Sequence, residues 1–254
     1  MGPKAKEFRA PDGKEFDNRR EYRDYMMSTY YSWKNCKDRH DLIRAAGDID
    51  GQSYEIEDSS NCTMVIMDIT DQITIDHLEN CKVFIGACSN SVFIRNCSNC
   101  TFYTCCRQLR LRDVTETKFY VYSQAEVHIE FSSKVRFAPF NGGYPEQEAH
   151  FVEARLNVEE NLWYDIFDHN DADKTGENWS LMDPSEYGQP WFPGETCTPF
   201  VPVTLAGSVA KEDKDQVGES FGADQMRADS AGMYLCSYTI MPHLCLSFHI
   251  KINH

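Results

Sequence analysis

Apolar and polar positions alternate through the middle of the chain in short runs that recur about every 19 residues. The clearest copies begin with Asn-Cys at positions 61, 80 and 99. Two further copies, from Glu116 and Ser132, keep the alternation but lose the Asn-Cys pair. A second alternating run recurs in the same frame, beginning at Tyr54, Ile73, Val92, Leu109 and Val127. A repeat of this length with two short strands per copy is typical of a parallel β-helix, in which the chain coils and stacks on itself.

The repeat aligns the apolar positions of successive coils into columns that point inward. One strand contributes the columns that begin at Met64 and Ile66, and the other contributes those that begin at Tyr54 and Ile56. Stacked strands lie ~4.8 Å apart, so each column is a ladder of touching side chains. Parallel crossovers are almost always right-handed. The sequence therefore predicts an all-β core, a right-handed parallel β-helix of about five coils over residues 53–140.

The flanking segments predict a smaller amount of other structure. Residues 17–35 carry apolar side chains at spacings of three and four, which predicts a helix that caps the first coil, and residues 36–50 are expected to be a linker. A short helix and extended segments are expected after the coil. We expect three parts: an N-terminal tail and capping helix over 1–45, the β-helix domain over 46–184, and an extended, partly disordered tail over 185–254. The end of that tail, from Tyr234, is apolar and is expected to be loosely packed or poorly ordered.

Composition limits the cellular compartments and the classes of partner that fit this protein. A net charge of −15 argues against nucleic acid as a partner, because nucleic-acid binding needs clustered Lys and Arg. The N-terminal segment is largely polar, unlike a signal peptide, and no apolar run reaches the ~20 residues of a membrane span. We expect a cytoplasmic monomer. Gly2 is expected to be unmodified, because Pro3 and Lys6 do not fit the myristoylation pattern.

The cysteines also fit the coil. Of eleven, Cys62, Cys81 and Cys100 share one inward column and are expected to be stacked, buried and reduced. A zinc site is the alternative, since Cys97 and Cys100 have the local spacing of zinc ligands. The strand phase separates these two side chains, however, and no second pair completes a set. We therefore expect no metal and no cofactor.

Two columns of the second strand point outward and carry the candidate site. One column contains Glu55, Thr74, Phe93, Arg110 and His128, and the next contains Glu57, Asp76, Arg95, Arg112 and Glu130. Arg110 and Arg112 are two residues apart on one strand, so their side chains leave the same surface. Together they form a rigid cationic spot on an acidic protein.

At this point the residues resemble a known family. The Asn-Cys repeat followed by Gln108-Leu109-Arg110-Leu111-Arg112-Asp113 resembles the tubulin-binding cofactor C domain family, which includes the retinitis pigmentosa 2 protein. The resemblance covers residues 46–184 and continues through a set of later motifs: Tyr144-Pro145, Asn161-x-Trp163, Asp168 and Asn178-Trp179-Ser180-Leu181. The Asn-Cys ladder alone is shared with cyclase-associated proteins, whereas Gln-x-Arg in phase with the coil is more specific.

The resemblance implies a function for the outward arginine. In that family, the arginine matching Arg110 is an arginine finger that enters the nucleotide site of an Arf-like GTPase in its GTP form, or of tubulin. Partner contacts are expected from Gln108, Phe93, Arg112, His128, Glu130, Asp168 and His169. The family commonly has Phe where this chain has His169, which leaves the partner's identity open. We expect a GTPase activator without nucleotide hydrolysis of its own, in the cytoplasm and associated with the cytoskeleton or a cilium.

Three other functions share some of these sequence features. A non-catalytic adaptor would bind tubulin or an Arf-like GTPase without changing hydrolysis. An actin-related role, as in cyclase-associated proteins, shares the coil but lacks Gln-x-Arg. A polysaccharide-cleaving enzyme would need clustered carboxylates on one face. Separately, Asp171, Asp173 and Thr175 have the spacing of a calcium loop, but Met182 stands where that loop needs a glutamate, so a solvated turn is favoured.

Overall fold

A computed structural model of the protein describes residues 8–194. The expectations for Gly2 and for the tail from residue 195 onward lie outside these residues. The described helices are α1 (Arg19–Thr29), α2 (Gln147–Glu153) and a 3-10 turn (Pro184–Glu186). The strands are β1 (Phe8–Arg9), β2 (Glu15–Phe16), β3 (Ser32–Lys34), β4 (Leu42–Arg44), β5 (Tyr54–Ser60), β6 (Thr63–Ile66), β7 (Ile73–Glu79), β8 (Lys82–Ser98), β9 (Thr101–Thr115), β10 (Lys118–Ser123), β11 (Val127–Glu130), β12 (Val135–Pro139), β13 (Ile166–Asp168) and β14 (Trp179–Leu181).

The twelve strands from β3 to β14 form one parallel β-helix, as predicted. Two stacks of strands build it. The first face contains β3, β5, β7, the second halves of β8 and β9, β11 and β13. The second face contains β4, β6, the first halves of β8 and β9, β10, β12 and β14. The handedness of the coil stays a prediction from the crossover rule.

The predicted inward columns are confirmed by the strand register. Ile75 pairs with Ile94, Ile94 with Leu111, and Leu111 with Ile129, and all four side chains are buried. On the second face the rings of Phe102, Phe119 and Phe137 stack in sequence. The interior of the coil is therefore a continuous apolar core, and it fixes which side chains of each strand must point outward.

Residues in left-handed backbone conformation turn the chain at the corners of the coil. Asn61, Asn80 and Asn99 have φ values of 55°, 53° and 51°. Asparagine tolerates this conformation better than most residues. The side-chain amide of Asn80 donates to Asn61 Oδ1 at 2.7 Å, and that of Asn99 donates to Asn80 Oδ1 at 3.4 Å. The Asn half of the Asn-Cys repeat is thus a ladder of corner residues.

The Cys half of the repeat lies inside the coil. Cys62, Cys81 and Cys100 are buried, and all eight cysteines within residues 8–194 are free thiols. The backbone N–H of Cys81 donates to Cys100 Sγ at 3.4 Å, and that of Cys100 donates to Thr117 Oγ1 at 3.3 Å. Sulfur and hydroxyl groups therefore accept the corner N–H groups of the neighbouring coil.

The coil extends beyond the predicted span at both ends. Trp33, expected to lie in the helix, is in β3 and pairs with Ile56, while α1 ends at Thr29. The expected linker over 36–50 contains β4, which pairs with β6. At the other end β13 and β14 add a further level to the two faces. The proposed domain limits at residues 46 and 184 stay predictions.

The N-terminal helix forms a small cluster of its own. Asn18 caps α1, because its Oδ1 accepts from the N–H of Glu21 at 2.8 Å. Met26 packs with Phe16 and Ala10 of the adjoining hairpin. The expectation that this helix covers the first coil stays a prediction. No helix within residues 8–194 is long and apolar enough to cross a membrane.

Candidate functional site

Within residues 8–194, the outer side of the second face is covered, whereas the first face carries exposed side chains. Phe84 and Tyr103 point outward from the second face and are buried by residues that follow the coil. The ring of Trp191 lies 5.4 Å from that of Phe84 and 5.1 Å from that of Tyr103. Within the described residues, the segment that follows the coil therefore packs on the second face through Trp191.

Arg110 lies in the middle of the first face with its side chain exposed. It pairs in register with Phe93 on one side and with His128 on the other. Its Nε donates to Gln108 Oε1 at 3.1 Å, and its guanidinium carbon lies 5.8 Å from the centroid of the Phe93 ring. The amide and the ring therefore both contact the guanidinium group, while the side chain as a whole stays exposed.

Arg110 differs from its neighbours in how its charge is balanced. Lys34 contacts Glu55 at 2.8 Å, and Arg95 contacts Asp76 at the same distance. Among the residues that the structure describes, none places a carboxylate within 4.0 Å of the Arg110 guanidinium. Its positive charge is therefore available to a negatively charged group brought by another molecule.

Arg112 is held more firmly. Its Nη1 lies 3.7 Å from Glu130 Oε2, and its Nε lies 3.4 Å from Asp113 Oδ2. Its guanidinium carbon also lies 5.6 Å from the centroid of the Phe131 ring. Because all three groups are partly exposed, the ion pairs add little stability. Together with the Phe131 ring, they restrain the Arg112 side chain on the surface that it shares with Arg110.

The two histidines of the candidate set meet at the upper end of the face. His128 Nδ1 lies 3.0 Å from His169 Nε2, and His128 Nε2 lies 3.4 Å from Glu126 Oε1. Burial lowers the pKa of His128; Glu126 acts in the opposite direction, while Arg110 and His169 lower the pKa further. Neutral His128 is therefore favoured at pH 7. The hydrogen-bond partners of His128 determine which of its two ring nitrogens carries the proton.

Asp168 is placed differently from the rest of the set. It pairs in register with Ile129, in the inward phase of β13. One of its oxygens accepts from the N–H of Asn170 at 2.9 Å, and the other accepts from the side chain of Asn178 at 2.8 Å. Asp168 thus joins the segments around β13 and β14, and partner contact through it stays a prediction.

Two exposed phenylalanines lie beside these arginines and histidines and were not predicted as site residues. Phe131 is 56% exposed and has a φ of 48°, which is rare for a bulky residue. Phe167 is 45% exposed, whereas the nearby Trp163 is buried in the core of the coil. Phe167 instead lies beside His128, with ring centroids 5.6 Å apart. Alternation in the strands gave no signal for Phe131, because it occupies a corner.

The loop that resembles a calcium site is tied together by its own hydrogen bonds. Asp171 accepts from the N–H groups of Thr175 and Gly176 at 2.8 and 2.7 Å. These bonds lower the pKa of Asp171. Within the described part of the chain, no three side chains of His, Cys, Asp or Glu come together as a metal-binding group.

Comparison with known proteins gives the chain a family context. Residues 51–169 match the family model described as tubulin binding cofactor C. The human protein named tubulin-specific chaperone C is 28% identical over 152 residues, which cover 59% of this chain and 44% of the human protein. The mouse protein named XRP2 is 34% identical over 185 residues, which cover 72% of this chain and 51% of the mouse protein.

The matches extend over part of each relative. The chain spans about half the length of the curated relatives it matches. Among solved structures, tubulin binding cofactor C from Leishmania major superposes with a TM-score of 0.43 at 18% identity, covering 62% of this chain and 95% of that structure.

Proposed function

We propose that the chain, whose residues 51–169 match the family model of tubulin binding cofactor C, is a GTPase-activating protein of that family. It supplies Arg110 as an arginine finger to a partner GTPase. The partner contributes the nucleotide and its binding loop, and this protein contributes a positive charge on a stiff support. Phe93, Gln108, Arg112, His128, Glu130 and His169 form the surface that meets the partner.

The proposal depends on the exposure and the contacts of the Arg110 side chain. Its side chain is exposed, it is braced by Gln108 and Phe93, and no described carboxylate pairs with it. Arginine suits this role because its planar fork is always charged and matches the geometry of phosphate oxygens. Phosphoryl transfer is accelerated by positioning and by neutralising the charge that develops on the transferring group. An arginine delivered from a rigid strand satisfies both needs.

Two partner classes fit the proposal, an Arf-like GTPase in its GTP form and tubulin. The relatives named tubulin-specific chaperone C favour tubulin as the partner. The resemblance to the retinitis pigmentosa 2 protein favours an Arf-like GTPase instead. Either partner would be met in the cytoplasm, at the cytoskeleton or at a cilium. A pull-down with GTP-locked Arf-like GTPases and with tubulin dimers separates these classes.

The test is single-turnover GTP hydrolysis by the captured partner, with this protein at saturating concentration. An arginine finger typically contributes ~10³–10⁵ in rate. Arg110→Ala should reduce the stimulated rate toward the intrinsic rate while changing the affinity for the GTP-bound partner only modestly. Arg107→Ala is the matched control, since Arg107 is an exposed arginine on the same strand. Equal stimulation by wild type and by Arg110→Ala would show that another group acts.

A non-catalytic adaptor is the second candidate, and one observation favours it. The two exposed phenylalanines, Phe131 and Phe167, flank the arginines and offer apolar contact that binding alone would use. An adaptor would bind the partner while leaving its hydrolysis at the intrinsic rate in wild type and variant alike. That outcome would sink the proposal of a GTPase activator while leaving the surface itself as a binding site.

A further inference from the structure

We propose that Phe131 and Phe167 are apolar anchors that insert into a hydrophobic depression beside the nucleotide site of the partner GTPase. They set the affinity of the complex, whereas Arg110 sets the rate of hydrolysis within it. This role rests on the proposed GTPase activation and identifies the side chains that hold the partner. Phe131 stands at a corner of the coil where the lower levels carry polar side chains, and Phe167 lies on the neighbouring strand β13.

The corner that contains Phe131 has the same backbone conformation at five successive levels of the first face. Strand register aligns its residues, and all five have φ values between 48° and 54°: Asp58, His77, Asn96, Asp113 and Phe131. Asn, Asp and His are enriched several-fold in this left-handed conformation, whereas a bulky residue in it is an outlier. The other residues with positive φ within residues 8–194 are glycine or polar. Phe131 therefore breaks the pattern that the corner follows at the lower levels.

The fold does not account for the Phe131 ring. The side chain is 56% exposed and belongs to none of the three apolar clusters within residues 8–194. Its backbone N–H donates to Asn170 Oδ1 at 2.6 Å, a contact that any residue except proline would make. Its ring lies near the Arg112 guanidinium, on the exposed surface. Because strained backbone conformations cluster at functional sites, an exposed ring kept at this corner points to contact with another molecule.

Phe167 places a second ring on the same surface. It pairs in register with His128 and is 45% exposed, and it too lies outside the three apolar clusters. Its ring centroid lies 4.8 Å from that of His169 and 5.6 Å from that of His128. The two imidazoles are joined by a 3.0 Å hydrogen bond between His128 Nδ1 and His169 Nε2. They therefore support the Phe167 ring while nearly half of the side chain remains exposed.

The positions of the two rings identify their partner as the molecule that receives Arg110. Phe167 lies two strands from Arg110, and Phe131 lies one strand away and three residues farther along the chain from His128. With strands ~4.8 Å apart and residues ~3.3 Å apart along a strand, both rings start within ~12 Å of Arg110. A stable interface buries ~800 Å² of each protein, which corresponds to a disc with a radius of ~16 Å. A GTPase that receives Arg110 at its nucleotide therefore also covers both rings.

The chemistry of the two kinds of side chain separates affinity from rate. Aromatic residues and arginine are the side chains that are enriched where binding energy is concentrated in interfaces. Apolar rings contact partner surface that stays unchanged during phosphoryl transfer, so they stabilise the complex and its transition state equally. Arg110 instead meets the charge that develops on the transferring group. We therefore expect loss of a ring to weaken binding without changing the rate in the saturated complex.

The experiment measures affinity and single-turnover hydrolysis with the GTP-locked Arf-like GTPase or the tubulin dimer for binding, and with the same protein carrying hydrolysable GTP for rates. Phe131→Asn and Phe167→Asn should each raise the Kd about tenfold or more, while the stimulated rate at saturating protein stays within about twofold of wild type. Val152→Asn is the matched control and should bind as wild type does. Val152 is 74% exposed and belongs to α2, which packs on the second face through Phe151.

Thermal unfolding of the free variants tests the strained corner without any partner. Asparagine tolerates the left-handed conformation, so Phe131→Asn should raise the unfolding midpoint by about 2–4 °C. Phe167→Asn should not raise it, because Phe167 lies in a strand. A gain in stability together with a loss of affinity is expected of a residue kept for binding. A lower midpoint in Phe131→Asn would overturn the proposal, because the ring would then serve the fold.

The remaining outcomes separate this proposal from GTPase activation itself. Wild-type affinity in a Phe131→Asn/Phe167→Asn double variant, with stimulation still lost in Arg110→Ala, would overturn the anchors and leave the activator standing. Weaker binding by the double variant, with no stimulated hydrolysis by wild type, would support the anchors and remove the activator. Binding of neither probe by wild type would overturn both. A wild-type dimer in sedimentation velocity that the double variant abolishes would assign the rings to contact between copies of this chain, and would also overturn the anchors.

Discussion

The rings of Phe102 and Phe119 stack inside the coil, with centroids 5.1 Å apart and planes 10° from parallel. Phe119 contacts Phe137 of the next coil in the same way, at 5.5 Å. Each aromatic ring of this column therefore touches the coil below and the coil above. Removal of one ring breaks two interfaces between levels.

Phe119→Ala is expected to lower the free energy of unfolding by about 3–5 kcal/mol, because the fully buried ring leaves a cavity that flat neighbouring coils cannot close. Phe131→Ala is the matched control, since Phe131 is exposed and lies in a left-handed corner. That change should stay within about 0.5 kcal/mol of wild type. Urea unfolding of both variants measures the difference; equal losses would mean that the column does not hold the levels together.

Asn80 provides a test of the corner ladder. Its left-handed backbone costs an ordinary L-residue roughly 1–2 kcal/mol but costs glycine little. Asn80→Ala should therefore be more destabilising than Asn80→Gly. At Lys118, an exposed position in extended strand β10, the order should reverse, because glycine weakens a strand. Chemical denaturation of the four variants decides the point, and the same order at both positions would refute the corner argument.

The repeat predicted those levels of the coil whose paired residues are separated by about the length of one repeat. It missed the levels whose paired residues lie farther apart in the sequence. Ile75, Ile94, Leu111 and Ile129 pair level by level, at spacings of 17–19 residues. Trp33 pairs with Ile56, 23 positions later, and Ile129 pairs with Asp168, 39 positions later. Helix α2 lies within that longer interval. A fixed period cannot detect levels that are separated by insertions, although the packing they complete is the same.

The site was predicted where strand alternation applies and was missed where it ends. Arg110 and Arg112 point outward because Leu109 and Leu111 must point inward. Phe131 stands at a corner, where the backbone turns and the alternation stops. Contacts between different levels depend on side-chain conformation as well as on register, so the distance between His128 and His169 could not be read from the sequence.

The loop held by Asp171 is expected to loosen in acid. Hydrogen bonds from the N–H groups of Gly176 and Thr175 lower the pKa of this carboxyl below its unfolded value. A group of this kind contributes stability that is present above the unfolded pKa and is lost as the pH falls through the folded pKa. The N–H groups of Thr175 and Gly176 should therefore exchange faster at pH 3 than at pH 6, after correction for intrinsic rates.

Variants separate this effect from general acid unfolding. Asp171→Ala should give fast exchange at Thr175 and Gly176 at both pH values, whereas Asp173→Ala, in the same loop, should behave as wild type does. Hydrogen exchange followed by NMR measures each amide. Addition of Ca²⁺ should leave both variants and wild type unchanged if the loop is the solvated turn that the sequence favours; Ca²⁺-dependent protection in wild type would instead support a calcium site.

Gln108 is expected to act through Arg110 as a positioning residue. Its Oε1 accepts from Arg110 Nε at 3.1 Å, so the two terminal NH₂ groups of the arginine take no part in this hydrogen bond. Gln108→Leu keeps the size of the side chain and removes the acceptor. Stability should change little, because the site is partly exposed and water can replace the lost partner. The stimulated GTP hydrolysis rate at saturating protein should fall about tenfold, since misplacement of a catalytic group costs rate rather than affinity.

Gln72→Leu is the control, because Gln72 occupies the same column two levels away, next to the Ile73 that pairs with Val92. A fall in partner affinity with an unchanged saturated rate would show that Gln108 binds the partner directly and does not position Arg110.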